Sequence, residues 1–320
     1  MMSTKFGEVI SKICFVQSPI ESIACTSDSQ RLIVGQVATY EDTPTLSIVD
    51  INTGNIDRII EKSDNIENSI WRLVIDKKDG YVIYLKQYEG NRQIIIYNMK
   101  TNEKRTILET EDIYKYKGFI VSPRNELVIG DDNVISFWSI EEARKFREIK
   151  IGEPKTIVDL HCYTSLAFSS DDVLAIGGLN KGEVLLYDLQ KEKIINRLSA
   201  KFSYPGKIIF DPTGKYIFVL DYWTKGIFIW NLQTDNWHMK DIFSENWPHV
   251  TSVDFYKKDP RKVVMGSLNS FIVMLDFEEL EETFSDGAHQ GRIYDVLFTP
   301  DGKRLISSGE DWHIIVRNAE

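Results

Sequence analysis

Apolar and polar positions alternate in short runs along this chain, and turn residues punctuate the runs. The clearest example is Ala288 to Glu320, AHQGRIYDVLFTPDGKRLISSGEDWHIIVRNAE. Ile293–Phe298 alternates with period two, and Arg304–Ser307 and His313–Arg317 form two further apolar runs. Thr299-Pro300-Asp301-Gly302 and Ser308-Gly309-Glu310-Asp311 separate them, placing Pro, Gly and Asp where a chain must reverse. The pattern predicts an antiparallel meander that stops where a fourth strand would begin.

Six more copies of this meander precede it. The residue closing the first strand of each copy is Cys25, Ile75, Val121, Phe168, Phe210, Phe255 and finally Phe298, a step of 42 to 50 residues. A second marker pair ends each third strand: Val49-Asp50, Tyr97-Asn98, Trp138-Ser139, Tyr187-Asp188, Trp230-Asn231, Leu275-Asp276 and Arg317-Asn318. The runs are short and rich in Val, Ile, Phe and Tyr, as strands require. Glu141–Arg147 and Glu278–Glu282 could each form a helical turn, and no long amphipathic stripe occurs. No linker or low-complexity tract interrupts the beat, so residues 1–320 are expected to form one domain.

A four-stranded sheet that is apolar on both faces cannot stand alone in water. Stacking such sheets radially covers both faces and leaves only short edges, which predicts an all-β, seven-bladed β-propeller of four-stranded antiparallel blades. The last copy lacks its outer strand, whereas Phe6–Val16 is an apolar run ahead of the first full copy. Residues 1–16 are therefore expected to supply the strand that closes the last blade, removing two open edges.

On these residues the sequence resembles the WD-repeat β-propeller family across essentially its whole length, and best in the last copy. There Ala288-His289 stands for the family's Gly-His, Asp311 for its turn aspartate and Arg317-Asn318 for Trp-Asp. Trp138 and Trp230 stand at the tryptophan site of other copies, and Asn269 at the aspartate site. The resemblance implies a His–Ser/Thr–Asp–Trp hydrogen-bond chain, carried here by His289, Ser307 and Asp311. Arg317 has no indole N–H to offer, so that chain is expected to be incomplete.

Composition narrows the function. The chain has 320 residues, 42% apolar, and nothing approaches eighteen consecutive apolar residues, so no membrane association is expected. The N-terminus MMSTKFGEVISKICFV has Glu8 and Lys12 among its apolar residues and does not read as a signal peptide. Three scattered cysteines, Cys14, Cys25 and Cys162, suggest free thiols in a reducing compartment, hence the cytoplasm. The net charge is −10 and no basic stripe is visible, which argues against nucleic acid as a partner.

Local motifs for chemistry are weak. Gly177-Gly178-Leu179-Asn180-Lys181-Gly182 lacks the Gly-Lys-Ser/Thr of a phosphate loop and leads into a strand, so it reads as a hairpin turn. His161-Cys162 has no second ligand pair at zinc spacing, and Asp131-Asp132-Asn133 and Asp171-Asp172 suit tight turns better than calcium, so no metal or cofactor is expected. His289, Ser307 and Asp311 are the residue types of a hydrolase triad, but no Gly-x-Ser-x-Gly elbow accompanies them.

The resemblance places the residues that open each first strand, and the connections between second and third strands, on one partner-binding rim. These are Glu21, Trp71, Lys115, Lys117, Cys162, Tyr204, His249, Thr251, Arg292, Tyr294 and Glu310. The connections add Tyr40, Glu41, Asp42, Tyr88, Arg92, Tyr222 and Trp223, and Gln36–Thr45 and Lys86–Arg92 are expected to be the longest such loops. The expected function is a monomeric, non-enzymatic scaffold binding a protein or peptide on this rim. The alternative is a hydrolase, isomerase or small-ligand sensor with its site in a central channel.

Overall fold

Each of the seven apolar markers closes a strand, and each marker pair ends another. The computed structural model describes residues 5–15, 18–65, 68–112, 118–131, 133–151, 165–178, 182–200, 205–221, 227–234, 236–240, 250–279, 281–287 and 289–320. First strands run Ile20–Cys25, Ser69–Ile75, Gly118–Val121, Ser165–Phe168, Pro205–Phe210, Val250–Phe255 and Ile293–Phe298, opening blades 1 to 7 in that order. Third strands end at Asp50, Asn98, Ser139, Asp188, Asn231, Asp276 and Asn318. The result is seven four-stranded antiparallel sheets with no helix among the described residues, an all-β, seven-bladed β-propeller.

Blade 7 takes its outer strand from the chain's beginning. Val9–Cys14 pairs antiparallel with His313–Asn318, placing Ile13 opposite Ile314. The strand is shorter than the apolar run Phe6–Val16 because Phe6 and Phe15 serve differently. Phe6 packs edge-on against Tyr256 and Phe284, and Phe15 joins the core formed with blade 1. Gly7 has φ 82°, and the Phe284 ring lies where a Cβ would be, so only glycine lets the chain turn there into the strand.

The chain divides into two compact units. One comprises Met1–Thr106 with Trp247–Glu320 and holds blades 6, 7, 1 and 2; the other, Ile107–Asn246, holds blades 3, 4 and 5. Within the first unit, apolar side chains of successive sheets interdigitate. Ile306, Ile314 and Val316 of blade 7 meet Ile23, Leu32 and Val34 of blade 1, and Ile33, Leu46 and Ile48 of blade 1 meet Leu73, Val82 and Tyr84 of blade 2. Full burial of each such side chain contributes about 1.5–3 kcal/mol. In the second unit, Leu166, Leu174 and Leu185 of blade 4 pack on Val128, Ile135 and Phe137 of blade 3.

Polar stitches fix the blades of the first unit in one orientation. Asp295 of blade 7 accepts from Ser252 Oγ of blade 6 at 2.6 Å and from the Ile23 backbone N–H of blade 1 at 3.2 Å. The Leu73 N–H of blade 2 donates to Ser22 Oγ of blade 1 at 3.3 Å. At the other end of the same strands, Asp79 accepts from the Ser27 N–H at 2.9 Å and Ser29 Oγ from the Asp301 N–H at 3.1 Å. Equivalent positions thus touch at both ends.

Two local expectations are corrected. Among their described residues Glu141–Arg147 and Glu278–Glu282 hold no helix: Arg144–Lys150 and Glu281–Asp286 are outer strands, since sheet pairing outweighs the local helix preference of Glu and Lys. Lys86–Arg92 is not a long loop either. Strands Tyr81–Tyr88 and Asn91–Asn98 extend through it and join at Glu89-Gly90, both with positive φ (45° and 80°), the twist a two-residue hairpin needs.

Candidate functional site

The residues singled out in the sequence fall into two neighbouring arrangements, one inside blade 7 and one on its surface. The inner one is a continuous polar chain. His289 Nδ1 lies 2.8 Å from Asp311 Oδ1, and its Nε2 lies 2.8 Å from Ser307 Oγ. Arg317 Nη1 donates to the same Ser307 Oγ at 3.2 Å, and its Nη2 donates to Asp286 Oδ2 at 3.0 Å. One proton arrangement satisfies every group: His289 Nδ1–H donates to Asp311, Ser307 O–H donates to Nε2, and Arg317 donates in both directions. The expected gap is therefore filled, because a guanidinium N–H stands where the family uses an indole N–H. Unlike indole, it carries a charge, which Asp286 on the outer strand neutralises.

Burial explains the electrostatics of this chain. Arg317 and Ser307 are fully buried. Burial pulls the Arg317 guanidinium below its ordinary range, and the Asp286 carboxylate only partly offsets that. Burial pushes the Asp311 carboxyl up, but donation from His289 and from the Gln290 and His313 backbone N–H groups brings it below the usual range. Ser307 has neither exposure nor an uncommitted proton, so this constellation cannot act as a hydrolase triad.

The outer arrangement is built by β-bulges. In blades 1, 2, 6 and 7 the first strand slips register by one residue near its start, and the extra residues are Glu21, Trp71, Thr251 and Tyr294. A bulge takes its residue out of the pleat and re-aims the side chain. Antiparallel pairing puts each of these residues at the same end of its blade as the connection between second and third strands.

The four bulged side chains fare differently. Trp71 is 42% exposed. Thr251 turns inward, with Oγ1 2.6 Å from the Ile293 carbonyl and 3.0 Å from that of Gly266. Burial first, then the charges of Glu21 and Glu310, raise the Tyr294 hydroxyl to about 12. Glu21 is half-buried; burial first, then Glu310, pushes its carboxyl up to about 7. Glu310 is exposed and accepts from the Arg292 N–H at 3.2 Å, while Arg292 Nε stands 3.8 Å from the same carboxylate.

The connections add aromatic surface. Tyr40, between the second and third strands of blade 1, is 59% exposed. Tyr88 is half-buried, whereas Arg92 is only 5% exposed, so Arg92 leaves the rim. Sequence reasoning missed Trp312 and Phe271, each 39% exposed in the equivalent turns of blades 7 and 6. Trp312 has φ 67°, a left-handed conformation uncommon for a bulky side chain. The available signal was its place directly after the turn aspartate. Lys115, Lys117, Cys162, Tyr204, His249, Tyr222 and Trp223 lie outside the described residues, as do His161 and Leu179-Asn180-Lys181. Among the described residues no group of three or more His, Cys, Asp or Glu could hold a metal ion.

The family model for the WD domain, G-beta repeat, matches residues 279–318, which run from the last turn of blade 6 through the third strand of blade 7. A search of curated proteins finds no match. The WD40 propeller fold is typical of protein-interaction scaffolds. That repeat matched in blade 7, with its four-stranded plan made seven times, supports membership of the WD-repeat β-propeller family.

Proposed function

We propose that the protein is a non-enzymatic scaffold that binds a protein or peptide partner on the bulged end of blades 6, 7, 1 and 2. The observation that carries this reading is the gathering of exposed aromatic rings at that end. Tyr40, Trp71, Phe271 and Trp312 are all at least 39% exposed, and each sits on a bulge or strand connection in the first unit. Aromatic side chains give large contact area at low conformational cost and dominate interface energetics. Here the hydrogen-bonded sheets beneath hold their backbones, so little ordering entropy is lost on binding. The free thiols Cys14 and Cys25 fit a reducing compartment, and we place the protein in the cytoplasm.

The test is a crosslinking capture from the native cell with the full chain as bait, compared with Trp71→Ala/Tyr294→Ala. The double variant is expected to melt within a few degrees of the parent and to lose the captured partner. Undiminished capture by a folded double variant would remove this face as the binding surface.

A further inference from the structure

The joint between blades 7 and 1 differs at one level from the joints on either side of it. In blades 1 and 6 the residue following the bulge, Ser22 or Ser252, pairs with a glycine of the second strand, Gly35 or Gly266. A Cβ on these glycines would lie 2.9 Å from the Ile70 side chain and 2.6 Å from that of Ile293, so the next blade seats directly on the backbone. The same position in blade 7, opposite Asp295, is Ser308. Its side chain is accommodated and fully buried, so blade 1 stands further off at that level.

Polar atoms without partners collect on the two facing sides of that joint. Ser308 shares its side of blade 7 with Ile306 and with its cross-strand neighbour Ile314, both packed on blade 1. Ser47 lies opposite Val34 and Gln36 opposite Ile20, on the side of blade 1 that packs on blade 7. Ser308 Oγ, Ser47 Oγ and Gln36 Oε1 have no hydrogen-bond partner among the described residues, and each of these residues is at most 1% exposed. Other buried or half-buried hydroxyls of the unit are satisfied: Ser252 by Asp295, Ser18 by the Val37 carbonyl and Thr251 by two carbonyls. A buried polar atom left unpaired costs the desolvation of its group, and native proteins seldom carry several together.

We propose that the joint of blades 7 and 1 is a binding site for internal water, at least one molecule of which bridges Ser308 to Ser47 and Gln36. The donor set selects this ligand. Gln36 Oε1 can only accept, so the ligand must donate, whereas the two hydroxyls can do either. Asp295, opposite Ser308, is already held by Ser252 Oγ and the Ile23 N–H and calls for no cation. The surrounding walls are aliphatic, formed by Ile20, Val34, Ile306 and Ile314, which favours a small neutral molecule. Water with three polar partners meets both conditions. The site concerns how two blades meet, and it stands whether or not a partner binds the rim.

Urea unfolding of the full chain carrying Ser47→Ala, Ser308→Ala or both tests the site by the sign of the change. Removing a hydroxyl that holds a bound water loses its hydrogen bonds, so each single variant is expected to unfold at a midpoint about 0.3 M lower. In a dry joint the same substitution removes a penalty, and a midpoint that rises or stays put would overturn the inference. Because one water serves both hydroxyls, the double variant is expected to lose clearly less than the two single losses together. Additive losses would overturn the bridge. A crystal structure of the parent chain gives the direct check. Ordered solvent within hydrogen-bond distance of Ser308 Oγ and of Ser47 Oγ or Gln36 Oε1 is expected, and unbroken aliphatic contact in its place would refute the site.

Discussion

Asp311 and Glu21 are two partly buried carboxylates of the same unit, and they have opposite fates. Burial pushes both towards the protonated form. Asp311 ends below its ordinary range because His289 and two backbone N–H groups donate to it, whereas Glu21 rises to about 7 because nothing donates and Glu310 repels. The consecutive residues Glu310 and Asp311 belong to different worlds: one completes a buried polar chain, the other charges an open surface. Satisfied groups hold the blade, and the unsatisfied one is carried at a cost.

The largest expected effect breaks the satisfied side. Arg317→Ala empties a fully buried site and strips Ser307 and Asp286 of their donor, so unfolding in urea should show a loss of roughly 3–5 kcal/mol. Arg317→Trp is the sharper variant. Its indole N–H can reach Ser307 without needing Asp286, and it should lose less than half as much. If Arg317→Trp unfolds as readily as Arg317→Ala, the guanidinium is more than a substitute for an indole donor.

Ser307→Ala comes next. It leaves His289 Nε2 without a donor and Arg317 Nη1 without an acceptor, both buried, at a cost of about 2–3 kcal/mol. A loss below 0.5 kcal/mol would mean that the chain's two halves are independent.

The unsatisfied side should respond with the opposite sign. Folded Glu21 keeps its proton to about pH 7, while an unfolded glutamate releases it near 4.5, so the folded state binds more protons between those values. Stability therefore falls as pH rises through that window and levels off above it. Glu21→Gln removes the fall and should gain about 2 kcal/mol at pH 8, with little change at pH 4. Asp311 works the other way: its contribution is present above the unfolded carboxyl's range and is lost as pH drops through its lowered folded value. Denaturant curves of Glu21→Gln and its parent between pH 4 and 8 would expose the difference. Parallel pH profiles would show that Glu21 is not the group responsible.

The two sides were not equally legible in the sequence. Phe255 and Phe298 announce strand ends because period-two alternation and turn chemistry are local, and a seven-fold beat averages out the noise. His289, Ser307 and Asp311 were legible as a set through a family pattern. Arg317 was misjudged because the pattern names a residue type, whereas the fold needs only an N–H at one point and can neutralise the extra charge with Asp286, 31 positions away. Glu21 and Trp71 were visible as residues opening strands. Their bulges were not, since an extra residue in a ladder depends on the partner strand's register. Thr251 occupies in blade 6 the bulge position that Tyr294 occupies in blade 7, but spends its hydroxyl on two carbonyls, a distinction that only packing makes.

The smallest expected effect concerns Trp312, where the two sides meet. Its carbonyl accepts from the Phe15 N–H at 2.8 Å, tying the turn to the N-terminal segment, while its ring is exposed and its φ is 67°. A non-glycine residue held there costs about 1 kcal/mol or more, so a smaller side chain should reveal whether the ring or the backbone matters to the fold. Trp312→Ala keeps the strain and loses the ring; Trp312→Gly loses both, at some extra entropy cost in the unfolded chain. If the turn's conformation is fixed by its neighbours, the glycine variant should be more stable than the alanine variant by about 0.5–1 kcal/mol, and both should lose partner capture. An alanine variant as stable as the glycine one would mean that the turn relaxes once the ring is gone. The left-handed conformation would then be a consequence of where Trp312 packs rather than a constraint imposed by Asp311 and Phe15.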